Sequence, residues 1–494
     1  MTALTRESGS RSIPSPAGFI ALGLALAVLA GCAASSKRYL LVEQSLQAGN
    51  ARAADAVIEQ SQQEYGSKSR LLYLMDRGMT QHLSEQYQPS NATLEQADDE
   101  VERLYTRSIR TETKAFLLND TELPFEGEPF EQVMINVIKA LNYAVLGQWN
   151  EALVEARRID HRLNVLADAA DSKSAYKDDG FARYLSGMLY EVTGDLNNAF
   201  VAYRRAYEAY DRMRAWMRTP PPKELRRDLL RITDALHLSA EHQEYRQAFA
   251  ELGWQAPGDT QQLAQVVLIS YNGRSPRKED VFIDLPISLD ALNLVLLTKQ
   301  FGRGDRQSQE ARAAESVLYG LSGRVVRVAI PRLVPQKTQV QYGDFVMTSS
   351  TGATVEGRTE IAHNLTGAAE KRLEERLPGL SVKAAARAAV KFAMAEGVSR
   401  GVQAAAGKDA SPLIGILAGG IAHALAVGTE EADKRSWRTL PDEIHMARLW
   451  VQPGDYELRY RPASKLGGAA GPEITRKLSL KAGETKLLTE RIMY

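Results

Sequence analysis

Ala140-x2-Tyr143-x3-Gly147-x-Trp149-x2-Ala152-x3-Ala156-x2-Ile159 is followed by Gly187-x2-Tyr190-x3-Gly194-x-Leu196-x2-Ala199-x3-Tyr203-x2-Ala206, the same offsets restarted 47 residues on. Small and apolar positions recur at intervals of three and four, which places them on one face of a helix. Ala140 and Gly187 let a partner helix come close, and Gly147 and Gly194 stand where a helix must stop and the chain reverse. Each copy therefore predicts a hairpin of two helices. A chance antiparallel helix pair does not predict two copies with matching offsets.

This spacing resembles the tetratricopeptide repeat, and the resemblance implies stacked hairpins with a shared core and a groove that holds another protein. A period of 47 exceeds the roughly 34 expected for such a unit, so an extra segment, Asp168 to Asp179, is expected between the hairpins. A weaker copy keeps the offsets at Val42, Ser45, Gly49, Ala51, Ala54, Ile58 and Ser61. A further hairpin is expected from Ser69 to Ser108, with Gly78 as its small residue, Pro89-Ser90-Asn91 as its break, and Asp98 to Arg107 as a solvated face. After Thr219-Pro220-Pro221-Pro222, the stretch Lys223 to Leu252 predicts a terminal helical unit that lacks the turn glycine.

The chain has 494 residues, 44% apolar and 25% charged, with 61 basic and 61 acidic side chains. That balance gives no basic footprint for nucleic acid. A single cysteine excludes an internal disulfide and a thiolate zinc cluster. It is Cys32, preceded by Arg6 and Arg11, an apolar run from Ala17 to Leu29, and Leu29-Ala30-Gly31. Basic end, apolar centre and small residues before a cut make a secretory signal. The run resembles a bacterial lipoprotein signal, which implies cleavage after residue 31 and a diacylglycerol on Cys32. Ala33, in place of Asp, implies the outer membrane, with the chain facing the periplasm. An uncleaved anchor is the alternative, but 13 apolar residues are short for a span of ~20.

Beyond Gly253 the pattern changes. Gln265 to Tyr271, ending at Asn272-Gly273, then Val325 to Ile330, Val340 to Thr348, Leu449 to Val451, Tyr456 to Tyr460, Ile474 to Leu480 and Lys486 to Arg491 all read as short strands. Their spacing predicts a small antiparallel β-sandwich. An insertion, 364 to 431, reads as helical, and strands from both sides of it are expected to join one sheet. Within it lie an Ala-rich stretch from Ala384 and the uncharged window Ser411 to Gly428, with Gly415, Gly419, Gly420 and Gly428. Small residues four apart allow close helix packing. A buried helical hairpin is expected there, with membrane insertion of 384 to 428 in an oligomeric assembly as the alternative.

Glu126-x-Glu128-Pro129-Phe130-Glu131, Asn136, Ala140-Leu141-Asn142-Tyr143, Glu155-x-Arg157-Arg158, Ala182-Arg183-Tyr184-x2-Gly187 and Ser436-Trp437-Arg438-Thr439-Leu440-Pro441 together resemble a family of proteobacterial lipoproteins with tetratricopeptide-like repeats. The resemblance covers most of the chain after Cys32 and implies a cell-envelope setting. The family carries no established activity, so no catalytic residue is carried over.

The residues themselves offer little chemistry. His82, His161, His237, His242, His363, His423 and His445 lack the spacing of a zinc site. Gly401-x5-Gly407-Lys408-Asp409 is one residue too long for a phosphate loop and has Asp where a hydroxyl belongs. Arg303-Gly304-Asp305 reads as a charged loop, and the Asn119 to Phe130 stretch as an extended loop whose Glu126, Glu128 and Glu131 are solvated. Asp98-Asp99 and Asp178-Asp179 sit in hydrophilic runs with no visible cause for altered acidity. Trp437 is expected as a packing anchor where insertion meets sheet, with a recognition spot as the alternative. Tyr143, Trp149, Tyr190 and Tyr203 are expected to pack between helices.

The expected architecture is α+β: a signal over 1–31, a helical repeat domain over 32–252 and a β-rich domain over 253–494. The expected function is a lipid-anchored periplasmic scaffold whose repeats bind another cell-envelope protein, with no cofactor, metal, catalytic residue or nucleic-acid partner. A pore-like assembly and an envelope hydrolase are the rivals.

Overall fold

A computed structural model describes residues 37–111, 120–169, 176, 178–255, 262–286, 325–381, 384 and 431–494. Its first half is five successive helical hairpins. They pair α1 (37–47) with α2 (Ala51–Gln60), α4 (Arg70–Leu83) with α5 (Tyr87–Thr111), α6 (Pro129–Val145) with α7 (Trp149–Ala169), α8 (Gly180–Val192) with α9 (Leu196–Met217), and α10 (Lys223–Ala235) with α11 (Ser239–Ala248); the short α3 (Gln62–Tyr65) links the first two.

One turn is used five times. Gly49, Glu85, Gly147, Gly194 and His237 all adopt left-handed φ, between 56° and 83°. The residue after each returns its N–H to the carbonyl five positions back: Asn50 to Ser45, Gln86 to Gln81, Gln148 to Tyr143, Asp195 to Tyr190 and Leu238 to Thr233, at 2.8–2.9 Å. This bond and the left-handed residue together satisfy the last carbonyls of the first helix. The register across the turn repeats in the second and fourth hairpins. A Cβ on Gly78 would lie 2.3 Å from Leu94, and one on Gly187 would lie 2.4 Å from Tyr203, each pair sixteen positions apart. The two stretches read first in the sequence therefore fold as like tetratricopeptide-like units.

Two expected breaks lie elsewhere. The second hairpin reverses at Glu85, and Pro89 sits inside the first turn of α5, where N–H groups have no helical acceptor and proline is tolerated. Pro129 likewise opens α6 at its first position, so the predicted extended loop ends before it.

Among the described residues the second half contributes ten strands: β1 (Ala264–Asn272), β2 (Arg274–Pro286), β3 (Val325–Gln336), β4 (Val340–Ser349), β5 (Thr354–Arg358), β6 (Glu360–Asn364), β7 (Glu443–Val451), β8 (Gly454–Ser464), β9 (Ile474–Leu480) and β10 (Thr485–Ile492). One sheet runs β10-β1-β7-β6, a second runs β5-β4-β8-β9, and β2 with β3 makes a ribbon. β6 and β7, from either side of the insertion, do pair in one sheet. The pairing is antiparallel except that β1 and β10 run parallel, which corrects the all-antiparallel expectation. β2, β5 and β6 add to the strands read from the sequence. Residues 365–381 form α12; among the described residues no helix is long and apolar enough to cross a membrane. The proposed pair 384 to 428, apart from Ala384, lies outside them, as do Gly401 to Asp409, His423 and Arg303 to Asp305.

The first sheet is covered on both faces. Val266 and Leu268 of β1 pack with Phe345, Met347, Leu458 and Tyr460 of the second sheet, forming the sandwich core. Val267, Ile269 and Tyr271, on the opposite face, belong to the core of the helical hairpins, together with Ile444, Met446 and Trp437. Alternation along a strand makes this possible, and every residue of β1 is buried. Along the chain the hairpins precede the strands, with α12 set among the latter, and in space hairpins and sheet share one core.

Candidate binding cleft at the junction of hairpins and sheet

The first helices of the hairpins, α1, α4, α6, α8 and α10, present polar side chains to the sheet and to the strap 431–442 that leads into β7. Trp437 holds the strap. It is 0% exposed, its backbone N–H donates to Glu131 Oε1 at 2.7 Å, and its indole Nε1 donates to Thr439 Oγ1 at 2.9 Å. Thr439 donates onward to Asp76 on α4 at 3.0 Å, and Asp76 also accepts Tyr39 at 2.6 Å and Tyr65 at 2.8 Å. Trp437 is thus an anchor, as expected, but between repeats and sheet. Burial raises the pKa of Asp76, while the tyrosine hydroxyls and Arg38 oppose the rise.

Glu128 and Glu131, expected as solvated, are both buried because α6 begins under the strap. Burial pushes Glu131 up to about 7, and the neighbouring Glu128 charge adds to the rise against the pull of Lys278. Burial acts upward on Glu128 too, but Lys278, Arg376 and Arg372 outweigh it and hold that carboxyl at about 2. Glu131 also accepts the backbone N–H of Glu128 at 2.7 Å, closing the helix start.

At the far end a second lock forms. Arg448 of β7 reaches Glu191 at 2.6 Å, Asp228 and the Tyr203 hydroxyl at 3.1 Å. Tyr184 donates to Asp228 at 2.7 Å and Tyr203 to Glu191 at 2.6 Å, so all partners of the guanidinium are themselves held. Between the two locks, Tyr210 donates to the Ala362 carbonyl at 2.6 Å, and His363 Nε2 lies 3.3 Å from Asp179. Asp179 is fully buried and accepts the Tyr176 hydroxyl at 2.6 Å, and Asp98 pairs with Arg162 at 2.7 Å. Asp98 keeps the hydrophilic surroundings read from sequence, with Lys139, Arg158 and Asn136 also beside it, whereas Asp179 does not.

The face formed by the first helices is therefore filled by the chain's own strap and sheet. What stays open beside it is a cleft of about 720 Å³ bounded by the first hairpin, the start of β2 and the strap. Its walls are ionic and internally paired: Arg38 with Glu64 at 3.1 Å, Arg438 with Glu43 at 2.7 Å, Arg277 with Glu279 at 2.8 Å, Lys278 with Glu128 at 3.1 Å and Lys434 with Asp280 at 2.6 Å. The Arg38 guanidinium lies 3.9 Å from the Tyr65 ring and that of Arg438 lies 4.3 Å from Tyr39, so the aromatic floor is roofed by cations. Such a surface suits a polar segment that exchanges into ion pairs, and it is a poor fit for an apolar small molecule. Shallower hollows lie on the outer sheet at Ser349, Asp455 and Lys477 (about 550 Å³) and between α5 and α7 at Asn91, Tyr143 and Arg158 (about 470 Å³).

Tyr190 and Tyr203 are buried, and Tyr143 and Trp149 are half-buried in the helical core, as expected of consensus positions. Among the described residues no group of His, Cys, Asp and Glu is placed to hold a metal ion. Cys32 lies outside them.

No protein-family model matches the chain, and no curated protein does. Among solved structures, one from Podosopora anserina described as "kinesin light chain nearly identical TPR-like repeats" aligns with 44% of this chain and 94% of its own, at 15% identity and a TM-score of 0.30. A likeness of that degree adds nothing to what the five hairpins themselves show.

Proposed function

We propose that the protein is a scaffold, tethered to the periplasmic side of the bacterial outer membrane by lipid on Cys32, which works by holding another envelope protein rather than by catalysis. Tetratricopeptide-like hairpins are built for protein contacts. The observation that carries the reading is the closure of the first-helix face: with Trp437 and Arg448 sealing it, the partner surface moves to the ionic cleft, one wall of which is the first hairpin. Sheet and hairpins sharing one core hold that cleft in a fixed shape, which lowers the ordering cost of binding.

The test is capture from solubilised envelope by the full chain from residue 32, compared with a charge-swapped Arg277→Glu/Glu279→Arg variant that inverts that ion pair and gives up the exposed Glu279–Arg332 contact. Retention of the partner should drop about tenfold in the swap, because rim charges must match across an interface. Unchanged retention in the swap, with loss on Arg158→Glu in the α5–α7 hollow, would move the binding surface to the second-helix side.

A further inference from the structure

The outward side of α1 is formed by Lys37, Leu40, Leu41 and Gln44, the i, i+3, i+4 series of one helical stripe that Ala48 continues just past the helix end, and each of them is exposed. Leu40 is 54% exposed and Leu41 41%. The stripe holds no carboxylate, since Glu43 turns inward to Arg438 and Arg274. Helical arrays need terminal units with a polar outer face, and here the first unit departs from that rule with two adjacent leucines.

We infer that this stripe rests on a lipid bilayer surface. The inference rests on the tether proposed for Cys32 and adds to it an orientation. Lys37 is five positions on from Cys32, a span of at most about 18 Å when fully extended. A lipid on Cys32 therefore keeps α1 within that distance of the headgroups, where paired leucines enter the acyl boundary and Lys37 meets anionic headgroups. Leu40 is also on the rim of the ionic cleft, so the cleft opens alongside the membrane and its partner is met at the membrane surface. The other occupant to consider is a second copy of the chain.

Cys32 is the only cysteine, which lets the tether be supplied chemically whether or not the cell supplies it. The chain from residue 32 is coupled through that thiol to maleimide phospholipid in phosphatidylethanolamine–phosphatidylglycerol vesicles, and amide hydrogen exchange over residues 37–48 is compared with the thiol-blocked chain in solution. Exchange on vesicles should slow about fivefold or more, and Leu40→Gln/Leu41→Gln should return it to the solution rate while the protein stays coupled. Unchanged exchange in the wild type, or slowing that survives the double substitution, overturns the inference. Concentration-dependent slowing without vesicles that the double substitution removes overturns it in favour of a dimer. The mass of the Cys32 peptide from cells judges the tether separately: an unmodified cysteine ends the proposed anchoring and leaves the vesicle result as a property of α1.

Discussion

Arg448 on β7 and Glu191 on α8 are 257 residues apart in the chain and meet at 2.6 Å inside the protein. Arg448 is buried, the Glu191 side chain is only 8% exposed, and Asp228 shares the same guanidinium. Removing the arginine leaves two nearly buried carboxylates with Arg231 as the cation still beside them. Arg448→Met should lower stability by about 3 kcal/mol, the low end for a broken buried pair because Arg231 remains beside both acids. Urea unfolding measures it. A loss under about 1 kcal/mol would show that the lock between hairpins and sheet is carried by apolar packing alone.

Glu128 and Glu131 should give opposite pH signatures although three positions apart. Glu131 sits near 7, above its value in an unfolded chain, so its folded form prefers the proton. Its contribution to stability is full below about 4.5 and is lost as pH rises through 7, by up to about 3 kcal/mol. Glu128, held at about 2, contributes stability above 4.5 that is lost as pH falls toward 2. Glu131→Gln should flatten the unfolding profile between pH 5 and 8, and Glu128→Gln should flatten the acid limb below 4.5. Profiles parallel to wild type in both windows would contradict the burial that sets these shifts.

Trp437 should be the costliest apolar residue to remove from the strap. Trp437→Ala is expected to cost about 3–5 kcal/mol, and Trp437→Phe less, since the ring is kept and only the indole bond to Thr439 is lost. Thermal unfolding of the two variants ranks them. Equal losses would mean that the hydrogen-bond chain through Thr439 to Asp76, rather than ring volume, fastens the strap.

The hairpins were legible because their signals are local. Gly147 and Gly194 announce the left-handed turn that they adopt, and the small residue sixteen positions before its packing partner is visible at Gly187 and Tyr203. Glu85 and His237 make the same turn without the signal, which is why Pro89 looked like the break and the last unit looked irregular. β1 was legible as an unbroken β-branched run, the mark of a strand covered on both faces. β2 was not: Pro276 and four consecutive charges, Arg277 to Asp280, are drawn into a strand by pairing with β3. The locks were least legible. Nothing near Glu131 or Arg448 in sequence distinguishes them from solvated charges, since burial is conferred by elements hundreds of residues away.

The repeated turn gives the sharpest test of the fold. Non-glycine residues in left-handed backbone cost roughly 1–2 kcal/mol, against the 0.5–1 kcal/mol that glycine loses through its freer unfolded state. Glu85→Gly and His237→Gly should therefore raise stability, by up to about 1 kcal/mol each. Gly194→Ala meets no atom within 4 Å yet should lose about 1 kcal/mol or more from its φ of +83° alone. Gly187→Ala has ordinary helical backbone but a Tyr203 ring 2.4 Å from the new Cβ, so it should lose about 1–3 kcal/mol by overpacking. The distinction can be read by a second change: Tyr203→Leu should recover part of the loss in Gly187→Ala and none of that in Gly194→Ala. If Glu85→Gly and His237→Gly instead destabilise while Gly194→Ala is neutral, the five turns do not share one backbone, and the hairpins are not like units.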